Sequence, residues 1–271
     1  LADWNGMMIA ALARAGAIFG EAEWIARGEQ AFAFVSETMR DGERLGHSYR
    51  GGRLLLPGLA SDYAWMMRAA LALHEVTGKP YYLRQALAWQ SVLDTHHADA
   101  ETGGYYLTAD DAAGLVIRPH ATNDDAIENH NAVAAENLVR LAALTGDHAW
   151  RERADRLFDG MLPLAAGNLF GHAGLLNALD ARLGMAEIIV TGDGEASRTL
   201  RAAARRLPFL RNALVPSTSV ADLPETHPLR AKALAAPEGA AFVCVGERCS
   251  LPITDPEKLP AAAASSPGLL S

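Results

Sequence analysis

Apolar residues recur at helical spacing through residues 3–183, and short glycine-marked connections divide the pattern into segments. The spacing predicts helices over 3–19, 21–39, 60–77, 80–97, 128–145, 148–164 and 170–183. Three connections share one form: Phe19-Gly20-Glu21, Thr77-Gly78-Lys79 and Thr145-Gly146-Asp147. Glycine just past a helix end takes the left-handed conformation easily and closes the last turn, so each glycine marks the bend of an antiparallel αα-hairpin.

Superimposing the three glycines exposes an internal repeat. Four residues after them stand the aromatics Trp24, Tyr82 and Trp150, and eight after them the small residues Gly28, Ala86 and Ala154. Sixteen before them stand Trp4, Asp62 and His130, followed by Asn5, Tyr63 and Asn131. The first helix of each pair is apolar nearly all round, as in Met7-Met8-Ile9-Ala10-Ala11-Leu12-Ala13, whereas the second carries charge, as in Arg151-Glu152-Arg153-Ala154-Asp155-Arg156. A helix apolar all round is buried on every side, while an amphipathic one keeps a wet face. First helices therefore form an inner layer and second helices an outer one, as in an α/α toroid or solenoid.

Between hairpins, His47-Ser48-Tyr49-Arg50 runs extended into Gly51-Gly52, and Gly103-Gly104-Tyr105-Tyr106-Leu107-Thr108 leads towards Val116-Ile117-Arg118 as an expected β-hairpin. Both pieces follow an outer helix and precede an inner one, which places them at the rim where inner helices begin. After residue 184 the pattern changes to a strand at 187–190, a helix at 195–206, a strand at 213–215 and a hairpin over 241–249. The division expected is 1–184 for the helical hairpins, 185–259 for a small α/β segment packed on them, and 260–271 for a frayed, flexible tail.

Composition narrows the class. A formal net charge of −8 over 271 residues excludes a general nucleic-acid binder, because phosphate neutralisation needs surplus Lys and Arg. The longest apolar run, Met7 to Ala13, falls far short of the roughly 20 residues of a membrane span, and no signal-peptide pattern is present. The reading is of a cytoplasmic chain that binds neither nucleic acid nor membrane. Cys244 and Cys249 flank Gly246-Glu247 and would face each other across a hairpin. Free thiols are the default for a cytosolic chain, with a cross-strand disulfide or a metal as alternatives. Their spacing is not Cys-x-x-Cys, which argues against a thioredoxin-type redox role. Thr191-Gly192-Asp193-Gly194 lacks the third glycine of a dinucleotide loop and the Lys of a P-loop.

Asp3-Trp4-Asn5-Gly6-Met7-Met8-Ile9, Ser61-Asp62-Tyr63-Ala64, Leu141-Ala142-Ala143-Leu144-Thr145-Gly146-Asp147 and Cys244…Cys249-Ser250-Leu251-Pro252-Ile253-Thr254-Asp255 occur in an order that resembles one family. It is the thioredoxin-domain-containing proteins related to spermatogenesis-associated protein 20, in their C-terminal half. The resemblance implies a mainly α fold, a partial (α/α)6 toroid with a small C-terminal α/β appendage, akin to N-acylglucosamine 2-epimerase and six-hairpin glycosidases. It also implies an N-terminal thioredoxin-like domain and further toroid helices as partners outside this chain, and leaves room for a homo-oligomer. The chain departs from the family pattern at Asp125-Ala126-Ile127-Glu128-Asn129-His130-Asn131.

The repeat register sets the candidate chemistry. Trp4/Asn5, Asp62/Tyr63 and Glu128/Asn129/His130/Asn131 fall at the starts of inner helices, and parallel inner helices would gather them at one mouth. Aromatics stack on sugar rings and polar groups bind hydroxyls. Hydrolysis needs two carboxylates, for which Asp62 and Glu128 form the expected pair with Asp125 in reserve. Epimerisation needs a base beside a carbonyl, for which His130 and His120 are candidates. Trp4, Asn5, Tyr63, Arg118, His120 and Asn131 complete the expected substrate contacts. A glycan or small-molecule substrate follows, with no cofactor and no metal. The competing readings are capping for Asp62 and Glu128, and core packing for Trp4 and His74. The pair His96-His97 is expected to be solvated. A non-catalytic interaction module serving a thioredoxin-linked protein is the alternative function.

Overall fold

The computed structural model describes residues 1–120, 122–208, 211–216, 225, 227–236, 239–246 and 248–264. Helices α1 (Ala2–Phe19), α3 (Ala60–Thr77), α5 (His130–Thr145) and α7 (Ala173–Gly184) stand side by side as the inner layer, each packed on the next. Helices α2 (Ala22–Thr38), α4 (Pro80–His96) and α6 (His148–Ala165) lie outside, each returning against the inner helix before it. Gly20, Gly78 and Gly146 end α1, α3 and α5 in the left-handed conformation, with φ of 78°, 73° and 70°. Each donates its N–H to the carbonyl four residues back, the C-cap that the sequence repeat requires.

One continuous core joins both layers, with Phe32, Val35, Tyr82, Trp89 and Leu93 of the outer helices against Ile9, Met66, Leu71 and Leu73 of the inner ones. Close approach of α1 to α3 depends on Gly6, where a Cβ would stand 2.6 Å from the Trp65 carbonyl carbon. Helices α3 and α5 are buried on all sides, as their composition predicts. Helix α1 differs: it ends the row, and Trp4, Met8, Ile18 and Phe19 are exposed along it as an apolar stripe.

The rim carries two short hairpins, β1 (Arg40–Asp41) with β2 (Arg44–Leu45) and β3 (Ser48–Arg50) with β4 (Arg53–Leu55). The second expected hairpin does not form: apart from one bridge between Ala98 and Tyr105, the described residues of 98–129 are irregular. Their backbone is held by side chains instead. Asn131 accepts the Tyr105 N–H at 2.7 Å, and Asp124 accepts the N–H groups of Asn129 and Gly174 at 2.8 and 2.7 Å. Helix α5 begins at His130 with Asn129 as its N-cap, so Glu128 lies before the helix rather than in its first turn.

The α/β segment is a four-stranded sheet in the order β6-β5-β7-β8, formed by β5 (Ala186–Val190), β6 (Asn212–Val215), β7 (Ala241–Val245) and β8 (Arg248–Cys249). Strands β5 and β6 run parallel across the crossover helix α8 (Glu195–Arg205), and the other pairs are antiparallel. One face packs on Leu200 and Ala204 of α8 and Leu259 of α10 (Leu259–Ala264). The other face carries Ile189, Val215, Phe242 and Cys244, and helix α9 (Pro228–Ala235) packs on β5 and β7. Helix α10 occupies the start of the stretch expected to fray, and residues 265–271 lie outside the described residues. Cys244 and Cys249 are joined in a disulfide, where free thiols were the default expectation.

Strand β6 lies across the C-terminal ends of the inner helices: Leu214 donates its N–H to Glu75 Oε2 at 3.1 Å, and Arg205 of α8 donates to the Val76 carbonyl at 3.0 Å. The opposite, N-terminal ends face the rim hairpins. Among the described residues no helix is long and apolar enough to cross a membrane.

Candidate functional site

The starts of α1 and α3 are tied together through Asp62. Its carboxylate accepts the Leu59 N–H at 2.8 Å, which caps its own helix, and the Asp3 N–H at 3.0 Å, which belongs to α1. On its remaining side His47 Nδ1 stands 3.0 Å from Oδ2. His47 is carried by the turn between β2 and β3, and its carbonyl accepts the Ala2 N–H at 3.0 Å. Asp62 is fully buried, whereas the His47 side chain is 23% exposed. Burial pushes the Asp62 carboxyl above its usual range, against the pull of His47. The hydrogen bond to Asp62 raises the His47 imidazole, against desolvation. The result is an imidazole oriented at one nitrogen by a buried carboxylate and partly open on its other side. The sequence repeat places Asp62 at the mouth but gives no sign of His47, which lies outside the repeated helices.

The start of α5 is built differently. Glu128 is 27% exposed and receives Arg68 Nη1 at 2.6 Å. Arg68 also pairs with Glu136, which bonds Arg140 at 3.0 Å; Arg140 in turn reaches Glu75 at 3.2 Å. This chain of charges runs between α3 and α5 from the mouth to the β6 backbone, where Arg140 donates to the Asn212 carbonyl at 3.2 Å. Burial would raise the Glu136 carboxyl, but Arg68 and Arg140 outweigh it and hold the group below its ordinary value. Glu75 is raised by burial, which Arg140 only partly offsets. Charges in helices otherwise fully buried are the signal that sequence reasoning missed: Glu136 and Arg140 stand four apart in an apolar helix. Beside Glu128, Met7, Ala64, Trp65, Val133 and Ile127 form a small apolar cluster, and the Arg68 guanidinium lies 4.7 Å from the Trp65 ring.

The remaining expected site residues separate into groups. Trp4 is 62% exposed on α1, and Asn5 donates to the Leu1 carbonyl at 2.7 Å. Tyr63 is fully buried, its hydroxyl accepting the Leu45 N–H at 3.0 Å. Asp125 is exposed in the irregular segment. His130 and Asn131 are buried and grip Tyr105, His130 Nε2 donating to its carbonyl at 2.8 Å and Asn131 Nδ2 at 3.1 Å. Burial pushes the His130 imidazole down to about 4, so it is neutral at pH 7. Arg118 donates to the His96 and Thr108 carbonyls at 2.8 Å and stacks 4.3 Å from the Tyr106 ring. His120 packs against Tyr106 in a T-shaped contact and stands 3.2 Å from Asp99. His74 is buried and bonded to the Lys79 carbonyl at 3.1 Å, as a core histidine. His97, expected in solvent, is fully buried against Tyr63 and pushed down to about 4, because the irregular segment folds over the end of α4.

Two arrangements outside the mouth have their polar groups engaged. His96, Asp110 and Asp111 bring possible metal-ligand atoms within 4.8 Å of one another, a grouping the sequence spacing did not suggest. Both Asp111 oxygens are held by Arg44, at 2.5 and 2.9 Å. A cavity of about 490 Å³ lies between α4, α6 and residues 98–105, and two of its lining charges, Asp94 and Arg153, pair with each other.

A solved structure of similar shape fixes the class of fold. A GH76 α-mannanase of Bacteroides thetaiotaomicron is similar in structure, with a TM-score of 0.50 and 15% identity over 59% of this chain and 43% of that one. The chain is thus a mainly α, partial (α/α)6 toroid with a small α/β segment. In sequence it is similar to spermatogenesis-associated protein 20 of Homo sapiens, 28% identical over 96% of this chain. The Rattus norvegicus protein of that name is 26% identical over the same share, and an uncharacterized protein of Caenorhabditis elegans 25% over 93%. The chain spans about a third (35–36%) of the length of these relatives. No family model matches it.

Proposed function

We propose that the chain is a carbohydrate-active domain whose sugar pocket lies at the N-terminal ends of the inner helices. The observation that carries this reading is the His47–Asp62 pair, set at the mouth of a glycosidase-like toroid. A carboxylate behind an imidazole fixes its tautomer and steadies the imidazolium when the ring takes a proton. Asp62 is sealed beneath the surface and is suited to that role, not to direct contact with a glycosidic bond. Two-carboxylate hydrolysis by Asp62 and Glu128 is therefore poorly served, and proton transfer beside a carbonyl, of the epimerase kind, is served better. In this reading His47 exchanges the proton and Glu128 on Arg68 binds hydroxyls.

The exposed stripe Trp4, Met8, Ile18 and Phe19 favours a second reading, a non-catalytic module held against a thioredoxin-like domain or toroid helices of a longer protein. The two part on experiment. The full-length protein is assayed for binding and turnover of N-acylglucosamine and α-mannan oligosaccharides. The first reading expects His47→Gln to reduce turnover by about 10²-fold or more while binding survives. No saccharide binding, or undiminished turnover in His47→Gln, overturns it; loss of partner contacts in Met8→Glu with no saccharide response favours the second.

A further inference from the structure

The sheet of the α/β segment aligns three reactive side chains in one row. Glu187 on β5 pairs with Cys244 on β7, which pairs with Cys249 on β8. Directly opposed residues project from the same face of a sheet, so the Glu187 side chain leaves the sheet next to that of Cys244. The Ser250 N–H donates to the Val243 carbonyl at 2.8 Å, so Cys244 and Cys249 occupy the neighbouring, non-hydrogen-bonded position, where side chains lie closest. Cys244 is fully buried, while Cys249 is partly open to solvent.

We propose that Cys249, Cys244 and Glu187 form a thiol–disulfide exchange site that is reduced by dithiols. The partly open Cys249 is the sulfur an incoming thiolate can reach. As that thiolate bonds to Cys249, the Cys244–Cys249 bond breaks and its electron pair leaves on Cys244, which takes the proton of the Glu187 carboxyl. The second thiolate of the dithiol then attacks its own bound sulfur and releases Cys249. The dithiol becomes a disulfide, and the pair becomes two thiols. Of the two protons the dithiol sheds, one ends on Cys249 and the other returns to Glu187 through solvent.

Glu187 is equipped for this exchange. Burial pushes its carboxyl up to about 7, with Arg151 of α6, 3.7 Å away, as the opposing charge. A carboxyl that gains and loses its proton near neutrality can serve a buried thiol as both acid and base. This differs from the Cys-x-x-Cys device, in which the helix N-terminus and the motif itself lower the pKa of the attacking thiol. Here a neighbouring strand supplies the proton, and the reactive spacing is set across the sheet.

The test uses the whole chain reduced with dithiothreitol under native conditions. After reduction, iodoacetamide is expected to modify Cys249 at least roughly tenfold faster than Cys244, as exposure dictates. Glu187→Gln is expected to slow reduction by on the order of 10²-fold, and Glu187→Asp to recover part of that loss. A second pair of variants does not depend on Glu187: Cys244→Ser should trap a mixed disulfide with glutathione disulfide, and Cys249→Ser should not. Reduction of Glu187→Gln at the wild-type rate, equal alkylation of the two thiols, or equal trapping by the two serine variants would overturn the proposal.

Discussion

The starts of α3 and α5 occupy the same position in the repeat, yet their carboxylates serve opposite ends. Asp62 is sealed, with two backbone N–H groups and an imidazole around it. Glu128 sits before its helix, partly open, against one arginine. The capping duty that Asp62 performs for α3 falls on Asn129 in α5, which frees Glu128 from the backbone. Repeat register thus locates a carboxylate at the mouth without deciding whether it faces ligand or protein. That is decided by which neighbour takes over the cap.

The largest effect is expected beneath both starts, where removing one partner strands buried charge. Arg140→Met leaves Glu75 and Glu136 short of a cation and should lower unfolding free energy by about 3–5 kcal/mol in urea melts. A loss below about 1 kcal/mol would mean that the charge chain does not bind α3 to α5. Next comes the comparison itself. Asp62→Ala deprives the Leu59 and Asp3 N–H groups of their acceptor and should destabilise by about 3 kcal/mol, whereas Glu128→Gln should stay within about 1 kcal/mol. Equal losses would erase the distinction between a sealed and an open start.

A smaller effect separates the two starts by pH. His130, first residue of α5, has its folded value near 4, below the ordinary unfolded value of about 6.5. The fold therefore favours its neutral form, and the associated stability is present above about pH 6.5 and is lost as pH falls through 4. His47, at the start of α3, is shifted the other way: its contribution is complete below about pH 6.5 and is lost as pH rises through its raised folded value. Melting temperatures across this range should show His130→Gln flattening the acid limb and His47→Gln flattening the neutral one. The same limb affected by both variants would contradict the assignment.

Much of the fold was legible because helix signals are local. Glycines 20, 78 and 146 fix three hairpin bends, and the apolar inner helices reveal the layers. What escaped depended on contacts remote in sequence. His47 reaches Asp62 only because two short rim hairpins fold back over α1 and α3. The expected strands over 103–118 gave way to an irregular path because Asn131 and His130 take the hydrogen bonds of Tyr105. His97 lies next to a partly exposed His96, and helical periodicity alone does not show that a later segment closes over it. The facing of Cys244 and Cys249 across a hairpin was legible from their spacing, but the disulfide between them was only the alternative to free thiols.

In the proposed site Asp62 acts through His47, and the imidazole reports this directly. The His47 ring resonances are followed by NMR through a pH titration of the wild type and of Asp62→Asn. A raised value in the wild type that falls towards or below the ordinary 6.5 or so in Asp62→Asn is predicted, since removal of the carboxylate leaves desolvation unopposed. An unchanged titration in a folded Asp62→Asn variant would contradict it.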